Sequence, residues 1–300
     1  MAVKYRKYKD INDYKKVCTF LENSYEFYGT RFDNNLTLFE FQCALSLGLQ
    51  EKAKSIDEVL DKVFLWFDED QLVGLLEEDA FCLAQNYRFL FDEVVKVGEE
   101  NYSNAENLME WEVYENDSDY ENTLTNRGYS KSDEYWVRRD FEITQTEVPD
   151  NELPEGFKIE SVPKLKEFDE VYMAYKLCYG ILFNKKILQN LIETSTYRKE
   201  LDLVAVGPDT NVVALCSGRY VEANKLVTIE AVSCYHDYRE RGISKALLIH
   251  QLKAAKELGA NKVTVYTAMP EKYPAPNKLY ESVGFKLVGR KYVWRKVNII

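Results

Sequence analysis

The spacing of apolar residues in the first half of the chain predicts helices and strands in mixed order. Apolar positions recur every three or four residues over 10–28, which is typical of an amphipathic helix, and a second helical region follows from Leu36. Two short apolar runs, 63–67 and 72–76, flank a polar turn and predict a β-hairpin. The remaining predicted elements are a helix over 89–97, a strand over 108–114, a short helix over 121–127 and a closing strand over 135–139.

The second half repeats this order after a polar stretch. Residues 144–154 hold two prolines and few apolar positions, which predicts a linker. The elements predicted after it are a strand over 157–159, helices over 165–178 and 187–192, and a hairpin of 203–206 with 212–220. Both halves end alike, because Arg127-Gly128-Tyr129 and Val283-Gly284-Phe285 each precede a strand rich in aromatic and basic residues. We interpret this as an internal duplication with a period of about 155 residues.

Length and composition agree with two domains. A chain of 300 residues, 46% of them hydrophobic, is too long for one small core. We place the first domain at 1–144, the linker at 145–154 and the second domain at 155–300. No apolar run reaches the roughly 18 residues of a membrane span, and the N-terminal residues lack an apolar signal core. We therefore expect a soluble, cytoplasmic protein without a membrane partner.

Cysteine and histidine usage gives no sign of a metal site. With only two histidines and no Cys-x-x-Cys pair in the chain, no zinc site is predicted. Six dispersed cysteines in a chain of this size indicate free thiols in a reducing compartment. They are Cys18, Cys43, Cys82, Cys178, Cys216 and Cys234.

Charge is divided unevenly between the halves. Residues 1–150 carry 16 Lys+Arg against 33 Asp+Glu, and residues 151–300 carry 23 against 17, so that net charges of −17 and +6 make up the −11 of the whole chain. An acidic half argues against a nucleic-acid partner. Its excess of acids is typical of a solvated surface, and it would also attract a cationic ligand.

A predicted strand, a short polar loop and a predicted helix follow one another in the second half. Residues 225–234 are rich in β-branched side chains, and the helix after the loop ends at Gly259. The loop contains Arg239, Arg241 and Gly242. The first N–H groups of a helix lack internal partners and carry the positive end of its dipole, and glycine lets a ligand approach the main chain. The pattern favours phosphate binding, although an ordinary strand-to-helix connection would share it.

A second strand, 262–268, and a short helix with Leu279-Tyr280-Glu281-Ser282-Val283-Gly284-Phe285 come next. Together with Arg239-Glu240-Arg241-Gly242-Ile243-Ser244, this order resembles the GNAT superfamily of acyl-CoA N-acyltransferases. Its members hold the coenzyme A pyrophosphate with Arg/Gln-x-x-Gly-x-Gly/Ala and carry a later Leu-Tyr-x-x-x-Gly-Phe. The resemblance covers about residues 155–297. It implies an α/β (α+β) fold of two tandem GNAT-like domains, each a mixed, mostly antiparallel twisted sheet flanked by helices.

The resemblance also implies where acetyl-CoA, the acyl donor, would bind. Val232 and Cys234 lie on the strand before the loop, where backbone groups pair with the pantetheine arm in family members. The phosphate-binding residues would be Arg239, Glu240, Arg241, Gly242, Ile243, Ser244 and Lys245. The chain departs from the family pattern at Ser244, which replaces Gly or Ala, and at Tyr273, which stands where many members have Asn.

Two residues are candidates for catalysis. Tyr280 matches the family tyrosine that protonates the departing thiolate; its phenol, with an ordinary pKa of about 10, is protonated at neutral pH. A tyrosine that only packs against the sheet is the alternative. Glu230 lies in an apolar strand, where a carboxylate is costly to bury unless it faces a cleft or a partner. It is either the general base, directly or through water, or a salt-bridged structural residue.

The first copy lacks these groups. Its counterpart of the phosphate loop, residues 86–93, has no glycine and ends in acids, and Leu124 takes the place of Tyr280. We therefore predict that the first domain neither binds coenzyme A nor donates a proton, and that it either has a structural role or forms one wall of the acceptor pocket.

The predicted function is transfer of the acetyl group of acetyl-CoA to a primary amine of a small molecule or peptide, by direct attack of the amine on the thioester. The protein would act as a monomer or homodimer. One alternative is a non-catalytic acyl-CoA-binding sensor or regulatory protein. Another is a peptidyl or aminoacyl transferase of tandem GNAT fold, which usually lacks the Arg-x-x-Gly loop and needs a basic surface for tRNA.

Overall fold

The structure is a computed structural model. It describes residues 3–28, 35–50, 53, 55–78, 80–102, 109–162, 168–180 and 183–296. Leu108 and residues 165–167, where two predicted elements begin, lie outside the described residues. Among the described helices, none is both long enough and apolar enough to cross a membrane.

The described residues form helices and strands in mixed order. The elements of the first half are β1 (Lys4–Lys7), α1 (Ile11–Tyr28), α2 (Leu36–Leu49), α3 (Ile56–Val59), β2 (Phe64–Asp68), β3 (Gln71–Glu77), β4 (Ala80–Leu83), α4 (Phe91–Asn101), β5 (Glu110–Tyr114), α5 (Ser118–Asn126) and β6 (Tyr129–Glu142). Those of the second half are β7 (Lys158–Ser161), α6 (Phe168–Tyr179), α7 (Lys185–Ile192), β8 (Tyr197–Val206), β9 (Val212–Val221), β10 (Leu226–Cys234), α8 (Ile243–Glu257), β11 (Lys262–Ala268), α9 (Pro274–Val283) and β12 (Lys286–Lys296).

Each helix and strand predicted from apolar spacing has a counterpart in the structure, although β6 and β8 each begin six residues before the predicted start at 135 and 203. The structure adds β1, α3 and β4, each of four residues, which are too short for a periodic pattern to predict. It also shows a 3₁₀-helix over Gln85–Leu90, directly before α4.

The chain divides into two compact units, each built from separate stretches. The first comprises Met1–Leu38, Ala53–Arg138 and Val288–Ile300, and the second comprises Phe39–Lys52 and Arg139–Leu287. The domain boundaries predicted at 144 and 155 stay a prediction.

The first unit contains an antiparallel sheet of strand order β1-β2-β3-β4. Strands β5, β12 and β6 run side by side in that order, and β5 pairs with β12 antiparallel. Its core includes the fully buried indoles of Trp66 and Trp111, with Val94 of α4 and Leu124 of α5 packed around them.

The second unit is built on a sheet of order β6-β11-β10-β9-β8-β7, in which β10 and β11 are parallel and the pairs β10–β9, β9–β8 and β8–β7 are antiparallel. One face is covered by α8 and α9, with Leu247 and Leu252 completely buried. The other face is covered by α6 and α7, together with Phe41 and Ala44 of α2. The mostly antiparallel α+β architecture agrees with the predicted fold class.

Candidate active site

Strands β10 and β11 run together for four residue pairs and then separate. Their parallel pairing ends at Ile229 and Val265, whereas β10 stays paired with β9 as far as Cys234. The register between β10 and β9 shifts at Glu230, which is therefore the extra residue of a β-bulge. Beyond the bulge, the described residues of β10 no longer pair with those of β11, so the backbone edge of β10 that faces β11 is without a ladder partner. Such an edge is available to an extended ligand with amide groups.

Val232 and Cys234, the residues predicted to bind the pantetheine arm, lie on this separated part of β10. Both are half-buried and pack against the core beneath α8. Desolvation raises the pKa of the Cys234 thiol, although the Ser244 hydroxyl and the positive charges of Arg239 and Arg241 oppose this rise. The thiol is therefore protonated at neutral pH, which suits a contact residue and not a nucleophile.

The loop between β10 and α8 has the geometry of an open anion cradle. After a 3₁₀ turn over His236–Tyr238, Glu240 and Gly242 adopt positive φ angles of 61° and 80°. A Cβ added to Gly242 would have no heavy atom within 4 Å, so the space in front of this residue is open. The Gly242 carbonyl accepts the Ala246 N–H at 3.0 Å, which starts α8 directly after the loop. The first amides of α8 and its dipole then favour a phosphate in this space.

The two loop arginines are exposed. The Arg239 Nε donates to the Cys234 carbonyl at 3.1 Å and fastens the loop to the end of β10. The Arg241 guanidinium lies 5.3 Å from the centroid of the Tyr238 ring. Both side chains keep further N–H groups that suit bidentate contacts with a diphosphate. The loop and the separated strand therefore fit a coenzyme A moiety.

The remaining predicted binding residues form the first turn of α8. The Ile243 side chain is fully buried in the core, so only its backbone N–H is suited to bind a ligand. Ser244 and Lys245 are half-buried at the helix start. The small Ser244 side chain leaves the loop geometry open in spite of the departure from Gly or Ala.

Tyr280 lies on α9, in the same core as Val232 and Cys234. Its side chain is 5% exposed, and its ring contacts Phe285 edge to face at 5.6 Å between centroids. Burial raises the pKa of Tyr280 well above its ordinary value, and the neighbouring Cys216 contributes to the rise. The phenol is therefore protonated throughout the physiological range and can serve as a proton donor but not as a base.

Glu230 is half-buried at the bulge. Its backbone carbonyl accepts a hydrogen bond from the Tyr179 hydroxyl at 3.0 Å. Desolvation, followed by the negative charge of Glu230, raises the pKa of Tyr179. The bulge thus places residue Glu230 directly after the last residue pair between β10 and β11.

A buried polar cluster at the end of β11 was missed at the sequence level. The Asn277 amide group donates to the carbonyls of Ala268 and Tyr273 at 3.0 and 2.7 Å and so connects β11 to the start of α9. Its oxygen accepts from Thr267 at 2.8 Å and from the buried guanidinium of Arg139. A buried asparagine therefore lies three residues before Tyr280, and not at the position of Tyr273. The only sequence signal was an asparagine in the first turn of a helix that opens with two prolines.

This cluster gives a stability prediction. Arg139→Met should lower the free energy of unfolding by about 3 kcal/mol, since hydrogen bonds to a charged group contribute roughly 1.5–3 kcal/mol each. Urea denaturation measures the change. Glu281→Gln is the matched control, because the Glu281 carboxylate bonds Arg139 at 2.8 Å but its side chain is 56% exposed, and such pairs contribute about 1 kcal/mol or less. Equal effects of the two variants would contradict the prediction.

Among the described residues, no group of three or more His, Cys, Asp or Glu side chains is arranged to hold a metal ion. The six cysteines are free thiols.

The second half of the chain matches a known family. Residues 168–285 match the family model described as acetyltransferase (GNAT) family. This stretch contains β10, the loop before α8, α8 itself and Tyr280. The second half of the chain therefore carries a domain of the GNAT family, whose members take an acyl-CoA donor and an amine acceptor. No curated protein matches the sequence.

Solved structures share the architecture over the whole chain. A GCN5-related N-acetyltransferase from Sphaerobacter thermophilus superposes with a TM-score of 0.64 at 19% identity, covering 98% of this chain and 95% of that one. A tandem GNAT protein from the clavulanic acid biosynthesis pathway has a TM-score of 0.62 at 11% identity, with 98% of both chains covered. A GNAT acetyltransferase from Colwellia psychrerythraea has a TM-score of 0.59 at 15% identity, covering 97% and 98%. At these identities the similarity concerns the fold, and it confirms the predicted tandem GNAT fold.

Proposed function

We propose that this chain is an acetyl-CoA-dependent N-acetyltransferase that modifies a primary amine of a small molecule or peptide. The main support is the separation of β10 from β11 at the Glu230 bulge, directly before a glycine-led helix start. Together these features offer an amide edge for a pantetheine arm and a cradle for its diphosphate. Coenzyme A supplies the acetyl group as an activated thioester.

Different residues of the second unit bind the donor, orient it and transfer protons. Gly242, Arg239 and Arg241 hold the diphosphate, and the backbone of Val232 and Cys234 orients the arm. Glu230 accepts the proton of the attacking amine, directly or through a water. As the new N–C bond forms and the C–S bond breaks, the phenol of Tyr280 hands its proton to the departing sulfur. General acid or base catalysis of this kind typically contributes about 10²–10⁴-fold.

A panel of amines tests the function. Purified protein should release the coenzyme A thiol from acetyl-CoA only when an acceptor amine is present, which a thiol-reactive dye records. A second candidate function is a non-catalytic acyl-CoA sensor. It is supported by the burial of Tyr280, because a tyrosine that only packs in the core would also be 5% exposed.

Tight acetyl-CoA binding without turnover on small amines or peptide N-termini would favour the sensor.

The first unit should contribute no coenzyme A site. Its counterpart of the phosphate loop is the glycine-free 3₁₀-helix Gln85–Leu90, and Asp92 and Glu93 occupy the first turn of α4. The guanidinium of Arg88 faces inward, 2.6 Å from Asp117 and 4.0 Å from the Tyr120 ring. We expect titration calorimetry to give one acetyl-CoA site per chain, since the helix start repels anions and its arginine is already paired. Two equivalent sites would contradict this account.

A further inference from the structure

Tyr179 is the last residue of α6, and it faces the bulge in β10. Its ring is held in a group of stacked aromatic side chains, 5.3 Å from the Phe183 centroid and 6.4 Å from that of Tyr175, with interplanar angles of 20° and 17°. The Phe41 ring lies against it at 5.2 Å. The ring contacts therefore fix where the phenol hydroxyl points.

That hydroxyl donates a hydrogen bond to the bulge. The extra residue of a β-bulge is left out of the ladder, so its backbone groups need partners elsewhere. Here the Tyr179 hydroxyl donates to the Glu230 carbonyl at 3.0 Å. Desolvation raises the pKa of Tyr179, so the phenol stays protonated and remains a donor.

The strand beside the bulge is held by the same helix. Ala231, the residue after the bulge, is paired with Ser217 of β9. The Tyr175 hydroxyl lies 2.7 Å from the Ser217 hydroxyl and donates to the buried Asp202 carboxylate at 2.6 Å. Two tyrosines one helical turn apart thus bond the two strands at the bulge: Tyr175 reaches β9 at Ser217, and Tyr179 reaches β10 at Glu230 itself.

We propose that Tyr179 is a positioning residue for acetyl transfer: its hydrogen bond to the Glu230 carbonyl fixes the bulge and so sets the position of Glu230, which directly follows the last residue pair that β10 shares with β11. This inference rests on the proposed function, in which Glu230 accepts the amine proton. Tyr179 transfers no proton itself, and its effect on the reaction passes through the backbone of Glu230.

Tyr179→Phe keeps the ring stack and removes only the hydroxyl. We expect kcat to fall about tenfold, the equivalent of about 1.4 kcal/mol, while KM for acetyl-CoA stays within about twofold, because the phosphate loop is untouched. Tyr172→Phe is the matched control. Tyr172 lies on the same helix and stacks on Phe183 at 6.4 Å and 20°, but its hydroxyl donates no hydrogen bond to the described residues of the bulge, so kcat of this variant should stay at the wild-type value.

A double-mutant cycle distinguishes positioning from a general structural effect. If Tyr179 acts through Glu230, adding Tyr179→Phe to Glu230→Gln should lower kcat by no more than about twofold further. Multiplicative losses in the double variant, or a wild-type kcat for Tyr179→Phe beside a reduced kcat for Glu230→Gln, would overturn the positioning role and leave the proposed base intact. A wild-type kcat for Glu230→Gln would instead refute the base assignment, and with it any action of Tyr179 through that carboxylate.

Discussion

Tyr280→Phe should lower kcat by about 10²–10⁴-fold and leave the affinity for acetyl-CoA unchanged. The sulfur of coenzyme A gains negative charge as the C–S bond breaks, and the phenol is the proton donor that the site offers. Because burial raises the pKa of Tyr280, the phenol is protonated at any pH at which the enzyme would be assayed, so the loss should not depend on pH near neutrality. Steady-state kinetics with the best acceptor, together with calorimetry for acetyl-CoA, measures both quantities.

Tyr220→Phe is the matched control for the loss of a buried hydroxyl. Tyr220 is also 5% exposed and belongs to the same core, and its hydroxyl donates to the Leu258 carbonyl at 3.2 Å. This variant should lose about 1 kcal/mol of stability and keep its kcat. For Tyr280→Phe, a kcat within twofold of wild type, with chemistry rate-limiting, would show that the tyrosine only packs. A marked fall in melting temperature would assign its hydroxyl a structural role.

Gly242→Glu should abolish measurable acetyl-CoA binding. The substitution puts a carboxylate into the open space before the first turn of α8, where the diphosphate is expected, and the two anions would repel each other. The added Cβ meets no atom within 4 Å, so the fold should tolerate it apart from the strain of a positive φ, roughly 1–2 kcal/mol. Calorimetry measures the binding, and circular dichroism verifies the fold.

Gly259→Glu separates the effect of charge on the site from backbone strain. Gly259 follows the other end of α8, has a φ of 82°, and its Cβ position is equally open. The strain is therefore matched, but the carboxylate lies a whole helix away from the proposed site. Acetyl-CoA binding should be normal in this variant. Equal loss of affinity in both variants would mean that strain, and not occupation of the phosphate site, explains the result.

The strand, loop and helix around Gly242 were predictable because each has a local signal. Apolar spacing gives the two elements, and glycine after two arginines marks the turn. The bulge at Glu230 was not predictable, because a bulge is a property of two paired strands and the shift appears only in the register with β9. The sequence indicated that a carboxylate there needs a cleft or a partner, but it did not identify Tyr179, which lies 51 residues earlier.

The cluster around Asn277 was missed for a related reason. Arg139 and Asn277 are 138 residues apart, and no periodicity connects positions at that distance. The family pattern has an asparagine at a fixed distance before the catalytic tyrosine, and counting that distance back from Tyr280 leads to Tyr273 instead of Asn277. What determines the buried partner is the path of the chain between β11 and α9, and that path depends on tertiary packing.

The first unit is built from residues near both ends of the chain, and this has a consequence for its folding during synthesis. Strand β12 pairs with β5 in the first unit, and Arg295 bonds Glu110 across 185 residues of intervening chain. A ribosome adds about 5–20 residues per second, so β5 waits on the order of ten seconds or more for its neighbour. During that wait the edge of β5 lacks its partner strand, and Trp111 on β5 lacks the Trp294 side of its core. A chaperone that binds nascent chains would find its target there, and synonymous codons that speed translation of the second half would shorten the exposure.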